Sequence, residues 1–270
     1  MTLPNTSLVR KFALFIVVTM LSISAMAADF NQAQRLANQG DAIAQAALGV
    51  MYSRGEGVSQ DYVKAREWYE KSANQGNANA QAILGLMYYE GEGVRQNYSQ
   101  AAQWTKKASS QGNAIAQYYL GKMYYHGEGV RQDYVKAREW YEKSANQGNA
   151  NAQYYLGMMY YEGEGVRQNY SQAAQWFEKS ANQGDMDAQF IIGSMYYQGK
   201  GVRQNDSQAA QWFEKSANQD NATAQFIIGS MYHQGIGLRK NIAIAKEWYG
   251  KSCDNGEQEG CDDYRILNQR

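Results

Sequence analysis

One period governs the chain. The dipeptide Ala-Gln recurs with its glutamine at Gln45, Gln81, Gln117, Gln153, Gln189 and Gln225, each step being 36 residues. The six tryptophans keep the same step: Trp68, Trp104, Trp140, Trp176, Trp212 and Trp248. Of the 26 glycines, only Gly250 and Gly260 fall outside the repeating positions. Self-similarity at a period of this length marks a repeat architecture, in which each copy buries its apolar face only against its neighbours. The copies run 41–76, 77–112, 113–148, 149–184, 185–220 and 221–256. Residues 61–96 and 133–168 differ at three positions (82/154, 83/155 and 86/158), so two copies were duplicated together.

Each copy reads as a pair of helices. In the second, Asn77 is suited to cap a helix, because its side chain accepts from an orphan backbone N–H. Ala80, Leu84, Met87 and Tyr88 follow at helical spacing. Gly91-Glu92-Gly93 breaks that helix, since glycine reverses the chain at little steric cost. With one proline in 270 residues, glycine has to make these turns. Asn97 caps the second helix, whose buried stripe is Ala101, Trp104 and Ala108. Ala80 and Gly85 allow close helix approach, and Trp104 fills the space between pairs. Gly112 closes the copy. Asp220 takes that closing position in the fifth copy, where a left-handed backbone costs about 1 kcal/mol relative to glycine.

The run Ala-Gln-x-x-Leu-Gly-x-Met-Tyr-x-x-Gly-x-Gly-Val-x-Gln-Asp-Tyr-x-x-Ala-x-x-Trp-Tyr stands nearly unbroken from Ala44 to Tyr69 and from Ala116 to Tyr141. These residues resemble the Sel1-like repeat family, which is related to tetratricopeptide repeats. The resemblance covers residues 41–256. It implies an all-α fold, an α/α solenoid or superhelix of six 36-residue helix-turn-helix repeats with terminal capping helices. It also implies a non-catalytic interaction scaffold, of the kind that secreted bacterial members present to the envelope or a host. The last copies depart from the pattern. Asp206 and Ile242 replace a tyrosine, and Ile236 and Leu238 alter the glycine loop, so looser packing is expected there.

The ends differ from the middle. Arg10 and Lys11 precede an apolar run from Phe12 to about Ser24 that finishes in Ala25-Met26-Ala27. This is the pattern of a secretory signal peptide over residues 1–27, and the run is short for a membrane span. The mature chain carries 24 bases and 26 acids and has no further span. It is expected to be periplasmic or secreted, where a disulfide persists. Residues 28–40 read as an N-terminal capping helix, with Leu36 and Ala37 on its buried side. Residues 257–270 read as a C-terminal capping segment. Cys253 and Cys261 occupy the places of Ala73 and Gln81 in the first and second copies. They suit a disulfide tying the last helix to the stack, as in cysteine-rich secreted members of the family. The rival reading, a redox or metal pair, lacks Cys-x-x-Cys spacing, and the chain has two histidines.

Catalytic chemistry is hard to find. His126 and His233 fall at different repeat positions, and no catalytic residue, cofactor or metal ligand is assigned. The chain has no nucleophile elbow or P-loop. Some cysteine-rich relatives are linked to penicillin binding or weak hydrolysis, yet here no serine is followed three residues later by lysine, and Lys-Thr-Gly is absent. Glu67 with Lys71, Glu139 with Lys143 and Glu247 with Lys251 read as i,i+4 surface pairs. Glu92, Glu128 and Glu164 recur in the glycine loops. Acids and bases balance at 26 each, so no basic field calls for nucleic acid.

Binding is sought where the copies vary along one helix face. Tyr118, Lys122, Tyr125 and His126 share a face of the third copy's first helix. Tyr154, Met158, Tyr161 and Glu162 follow in the fourth copy, then Phe190, Ser194, Tyr197 and Gln198 in the fifth. In related solenoids first helices line the concave side, which would make a tyrosine-rich groove for a protein or peptide. Tyrosine combines contact area with few rotors and a polar tip. The alternative is that the aromatic stripe packs between copies, as expected of Tyr119 and Tyr155. A peptidoglycan or other envelope-glycan ligand and a weak penicillin-interactive protein are the remaining functional readings.

Overall fold

The computed structural model describes residues 30–269, so the expected signal peptide lies outside them. Among the described residues there are 14 helices and no strand. They divide into two compact units, one ending at Gln147 and the other beginning at Gly148.

The first unit contains α1 (Phe30–Asn38), α2 (Ala42–Arg54), α3 (Tyr62–Asn74), α4 (Ala78–Glu90), α5 (Tyr98–Ser110), α6 (Ala114–His126) and α7 (Tyr134–Asn146). Side-chain oxygens start the paired helices. Asp41 accepts from the Ala44 amide at 2.7 Å and Asn77 from the Ala80 amide at 3.0 Å. Asn97 accepts from the Gln100 amide at 3.0 Å. Each such cap contributes about 1 kcal/mol. Glycine ends the first helix of each pair: the Gly91 amide donates to the Met87 carbonyl. The capping helix α1 buries Ala33 and Ala37, with Leu36 partly buried against the same cluster.

Three devices hold this unit together. Tyr69 and Tyr141 are fully buried, and each lies on the backbone of the first helix. A Cβ on Gly49 or Gly121 would come within 2.6 Å of those rings. A Cβ on Gly129 would overlap the Tyr98 carbonyl oxygen, so the loop of one repeat rests on the preceding repeat's backbone. The third device is the recurring glutamine. Gln81 donates to the Ala73 carbonyl at 3.0 Å and accepts from Gln111 at 2.8 Å. Gln45 and Gln117 repeat both bonds. All three are 5% exposed, so a missing partner would leave a buried amide unsatisfied at about 1–3 kcal/mol.

The second unit contains α8 (Ala150–Glu162), α9 (Tyr170–Asn182), α10 (Met186–Gln198), α11 (Asp206–Ala217), α12 (Ala222–Gln234), α13 (Ile242–Asp254) and α14 (Gln258–Asn268). Phe177, Phe213 and Tyr249 now cover the helix glycines. Gln189 and Gln225 keep the buried glutamine bonds. Asp220 has φ +67°, the left-handed backbone expected of it. The looser packing expected of the last copies is seen at Ile242, which is 39% exposed, but not at the glycine loop. Ile236 and Leu238 pack on the cluster of Ala224, Ile228 and Met231, supplying apolar area in place of the usual residues. Cys253 and Cys261 form a disulfide between α13 and α14, with their Cα atoms 4.5 Å apart.

Trp104 is buried as expected, and so are Trp212 and Trp248, but not every tryptophan follows them. Trp104 is buried on α5 with Ala101 and Ala108, whereas Trp68 and Trp140 are only half-buried and Tyr69 and Tyr141 fill the deep position. Each tryptophan, buried or half-buried, carries a lysine three residues later over its ring. The distances are 3.8 Å for Lys71 on Trp68 and 4.0 Å for Lys143 on Trp140. Lys251 lies 4.2 Å over Trp248. These lysines therefore make no ion pair with Glu67, Glu139 or Glu247. The i+3 ring is a large, fixed partner, and an exposed ion pair is weak.

Candidate interaction surface

In the first unit the candidate residues sit on α6, whose first turn is fixed by Asn113. Tyr118 is 9% exposed, with its ring 5.9 Å from Tyr141 and 5.0 Å from Tyr119. It is therefore a packing residue, which corrects its assignment to an open groove: the glycine-backed Tyr141 ring draws it inward. Tyr119 meets Tyr89 of the preceding repeat edge-on at 5.8 Å, as expected of an inter-repeat contact. Lys122 lies 5.0 Å over the Tyr89 ring. Tyr125 is half-buried and meets Tyr134 edge-on at 5.1 Å, while His126 is exposed beside it.

The second unit presents its own face. Tyr154 is half-buried, edge-on to Tyr155 at 5.5 Å and to Phe177 at 5.9 Å. Burial first, then the Asp187 and Asp185 carboxylates, push the Tyr154 hydroxyl up to about 12. Met158 and Tyr161 are partly buried against the same cluster as Tyr154, and Glu162 is exposed. Phe190 leans on Phe213 with ring centroids 5.7 Å apart. Ser194 turns back to the Phe190 carbonyl at 3.0 Å. Tyr197 is the most open of the aromatics, 42% exposed. The His233 Nδ1 lies 3.4 Å from the Tyr249 hydroxyl.

Sequence reasoning missed the partners of these tyrosines. The Tyr89 hydroxyl donates to the Glu128 carboxylate in the next repeat's glycine loop. Burial first, then that bond, hold the Tyr89 hydroxyl well above its usual range. In the second unit the matching loop position is Lys200, which donates to the Tyr161 hydroxyl at 2.7 Å. Its ammonium sits 4.1 Å from the Tyr161 ring and 4.2 Å from the Tyr170 ring. Of the recurring loop acids, Glu128 therefore has a structural use. A spacing of one period plus three residues was the available signal.

Among the described residues, no group of three or more His, Cys, Asp or Glu is placed to hold a metal ion. No helix there is long and apolar enough to cross a membrane.

Each unit is thus a stack of helix pairs of the α/α-solenoid class. The Sel1 repeat model matches residues 42–77, 78–113, 114–149, 150–185, 187–221 and 222–257, and the chain belongs to the Sel1 repeat family. Such repeats generally mediate protein interactions. Two solved structures are similar over 88% of the chain. One is a protective antigen present in uropathogenic Escherichia coli strains, with 42% identity and a TM-score of 0.84. The other is a Sel1 repeat protein from Oxalobacter formigenes, with 34% identity and a TM-score of 0.79. The chain covers 51% of the first protein and 69% of the second, so it spans about half the length of the antigen. No curated protein matches it in sequence.

Proposed function

We propose that the protein is an exported, non-catalytic scaffold that binds a protein or peptide partner through the first-helix faces of its repeats. The observation that carries this reading is the set of aromatic rings left partly open on those helices. Tyr125 belongs to the first unit; Tyr154, Tyr161, Phe190 and Tyr197 belong to the second. Each is braced by a neighbouring ring or cation, except Tyr197, so little freedom is lost on binding. The Cys253–Cys261 disulfide and the signal-like N-terminus support an oxidising compartment. Similarity to a protective antigen supports exposure outside the cytoplasm.

The test is affinity capture from envelope extract with the protein and with a Tyr125→Ala, Tyr161→Ala, Tyr197→Ala variant. Tyr118 is left out because its loss would open the core. A partner retained by the protein and lost by the variant, at unchanged helicity, is the expected result. Equal capture by both would remove these rings from the interface. Retention only by purified sacculi would replace the protein partner with an envelope glycan.

A further inference from the structure

A different surface of the first unit departs from the repeat pattern. Tyr124 of α6 lines an open pocket of about 600 Å³ together with residues of α5, the glycine loop and the start of α7. Its polar lining includes Lys106, Arg131, Asp133 and Lys136. The Lys106 and Lys136 ammonium groups lie 6.0 and 5.5 Å from the Tyr124 ring centre. Asp133 is already engaged. It accepts from the Lys136 amide at 3.0 Å and pairs with the Lys136 ammonium at 3.2 Å. These contacts, the amide first, hold its carboxyl below the usual range. Gln132 is engaged too, donating to the Tyr125 carbonyl and the Tyr134 hydroxyl. Lys106 and Arg131 remain as the two uncompensated charges.

The second unit supplies the comparison. Matching pockets there are lined by Tyr196 with Arg203 and Gln208, and by Tyr232 with Arg239, Lys240 and Ile244. The places of Lys106 are taken by Glu178 and Glu214. Their charge is felt at the tyrosines: burial and then Glu178 raise the Tyr196 hydroxyl, and burial and then Glu214 raise the Tyr232 hydroxyl. The same position holds Glu70 and Glu142 in the remaining helical copies that carry an acid. Lys106 is therefore a charge reversal confined to the pocket that also has a second lysine over its tyrosine.

We propose that the Tyr124 pocket binds the phosphoryl group of a small phosphomonoester, with Lys106 and Arg131 balancing its charge and the Tyr124 ring meeting the organic part. A phosphomonoester is close to dianionic near pH 7 and matches the two uncompensated cations. A single carboxylate would leave one of them unmatched. The Arg131 guanidinium presents a planar fork suited to two phosphate oxygens. Tyr124 shares α6 with Tyr125, but none of the pocket's lining residues is changed in the Tyr125, Tyr161 and Tyr197 variant, so failure of the pocket and failure of the scaffold reading are read independently.

Isothermal titration calorimetry of the full protein tests it, with glucose 1-phosphate, glycerol 3-phosphate and inorganic phosphate as probes. The expected result is one saturable site for at least one probe, weakened by added salt. The tightest of the three names the source: sugar, lipid headgroup or free anion. Lys106→Glu should weaken binding about tenfold or more, as charge reversal beside a dianion requires. It should leave the melting temperature unchanged, because glutamate occupies that position in four other repeats. Glu178→Lys with Gln208→Lys should raise the stoichiometry from one site to two. No saturable binding of any probe, equal affinity in Lys106→Glu, or an unchanged stoichiometry in the double variant would each overturn the assignment.

Discussion

Tyr89 in the first unit and Tyr161 in the second hold the same repeat position, yet they meet opposite charges. Tyr89 donates to Glu128, and Tyr161 accepts from Lys200. A hydroxyl serves both roles, so the loop position can reverse sign without changing the backbone that supports it. The backbone contact below is the constant part: Gly129 rests on the Tyr98 carbonyl and Gly201 on the Tyr170 carbonyl. Scaffold and charge are thus specified by different atoms of the same loop.

Breaking the constant part should have the largest effect, equal in both units. Gly129→Ala and Gly201→Ala each place a Cβ against backbone at positive φ. Each should cost more than about 2 kcal/mol, combining the conformational penalty with overpacking, as read by urea unfolding. A cost in one unit only would show that the loops are not equivalent.

Alkaline pH tests the buried hydroxyls next. Burial raises Tyr69 and Tyr89 in the first unit, and raises Tyr154 and Tyr249 to about 12 in the second. In the unfolded chain a tyrosine ionises near pH ~10. The folded state therefore keeps protons that the unfolded state releases. Stability from these groups is complete below about pH 10 and falls as pH rises through the folded values. Thermal melts followed by tyrosinate absorbance should show ionisation and unfolding together. Free titration of these groups in a protein that stays folded would contradict their burial.

The smallest effect sharpens the comparison. Tyr89 is buried and Tyr161 half-exposed. Tyr89→Phe removes the donor to a half-buried carboxylate and should cost about 1–2 kcal/mol, whereas Tyr161→Phe leaves Lys200 able to reach water and should cost about 0.5 kcal/mol. Equal losses in chemical denaturation would mean that the two contacts are energetically alike.

The fold was legible because each constraint appears six times. The Asn77 and Asn97 caps, the Gly91 stop and the left-handed Asp220 follow from local chemistry that needs no distant partner. What escaped was long-range. Tyr118 lies on the variable face by helical spacing, yet Tyr141 from the second helix draws it into the core. Lys71 has both Glu67 and Trp68 within helical reach, and spacing alone does not rank an ion pair against a ring. The use of Glu128 became visible only when a neighbouring repeat supplied Tyr89. On the candidate surface, helical spacing named the residues but not which of their rings remain open.

The buried glutamines carry a consequence for how such a chain changes over time. Gln81 uses a carbonyl from the repeat before and an amide from the loop after its own second helix, and Gln45 and Gln117 make the same two bonds. A repeat's outgoing connector therefore matches any repeat's incoming one. Recombination that adds or removes whole copies leaves every amide matched, whereas a shift by a single residue orphans one at the junction. The near-identity of residues 61–96 and 133–168 is the trace such an exchange would leave. Evolution can edit this protein cheaply only in whole copies.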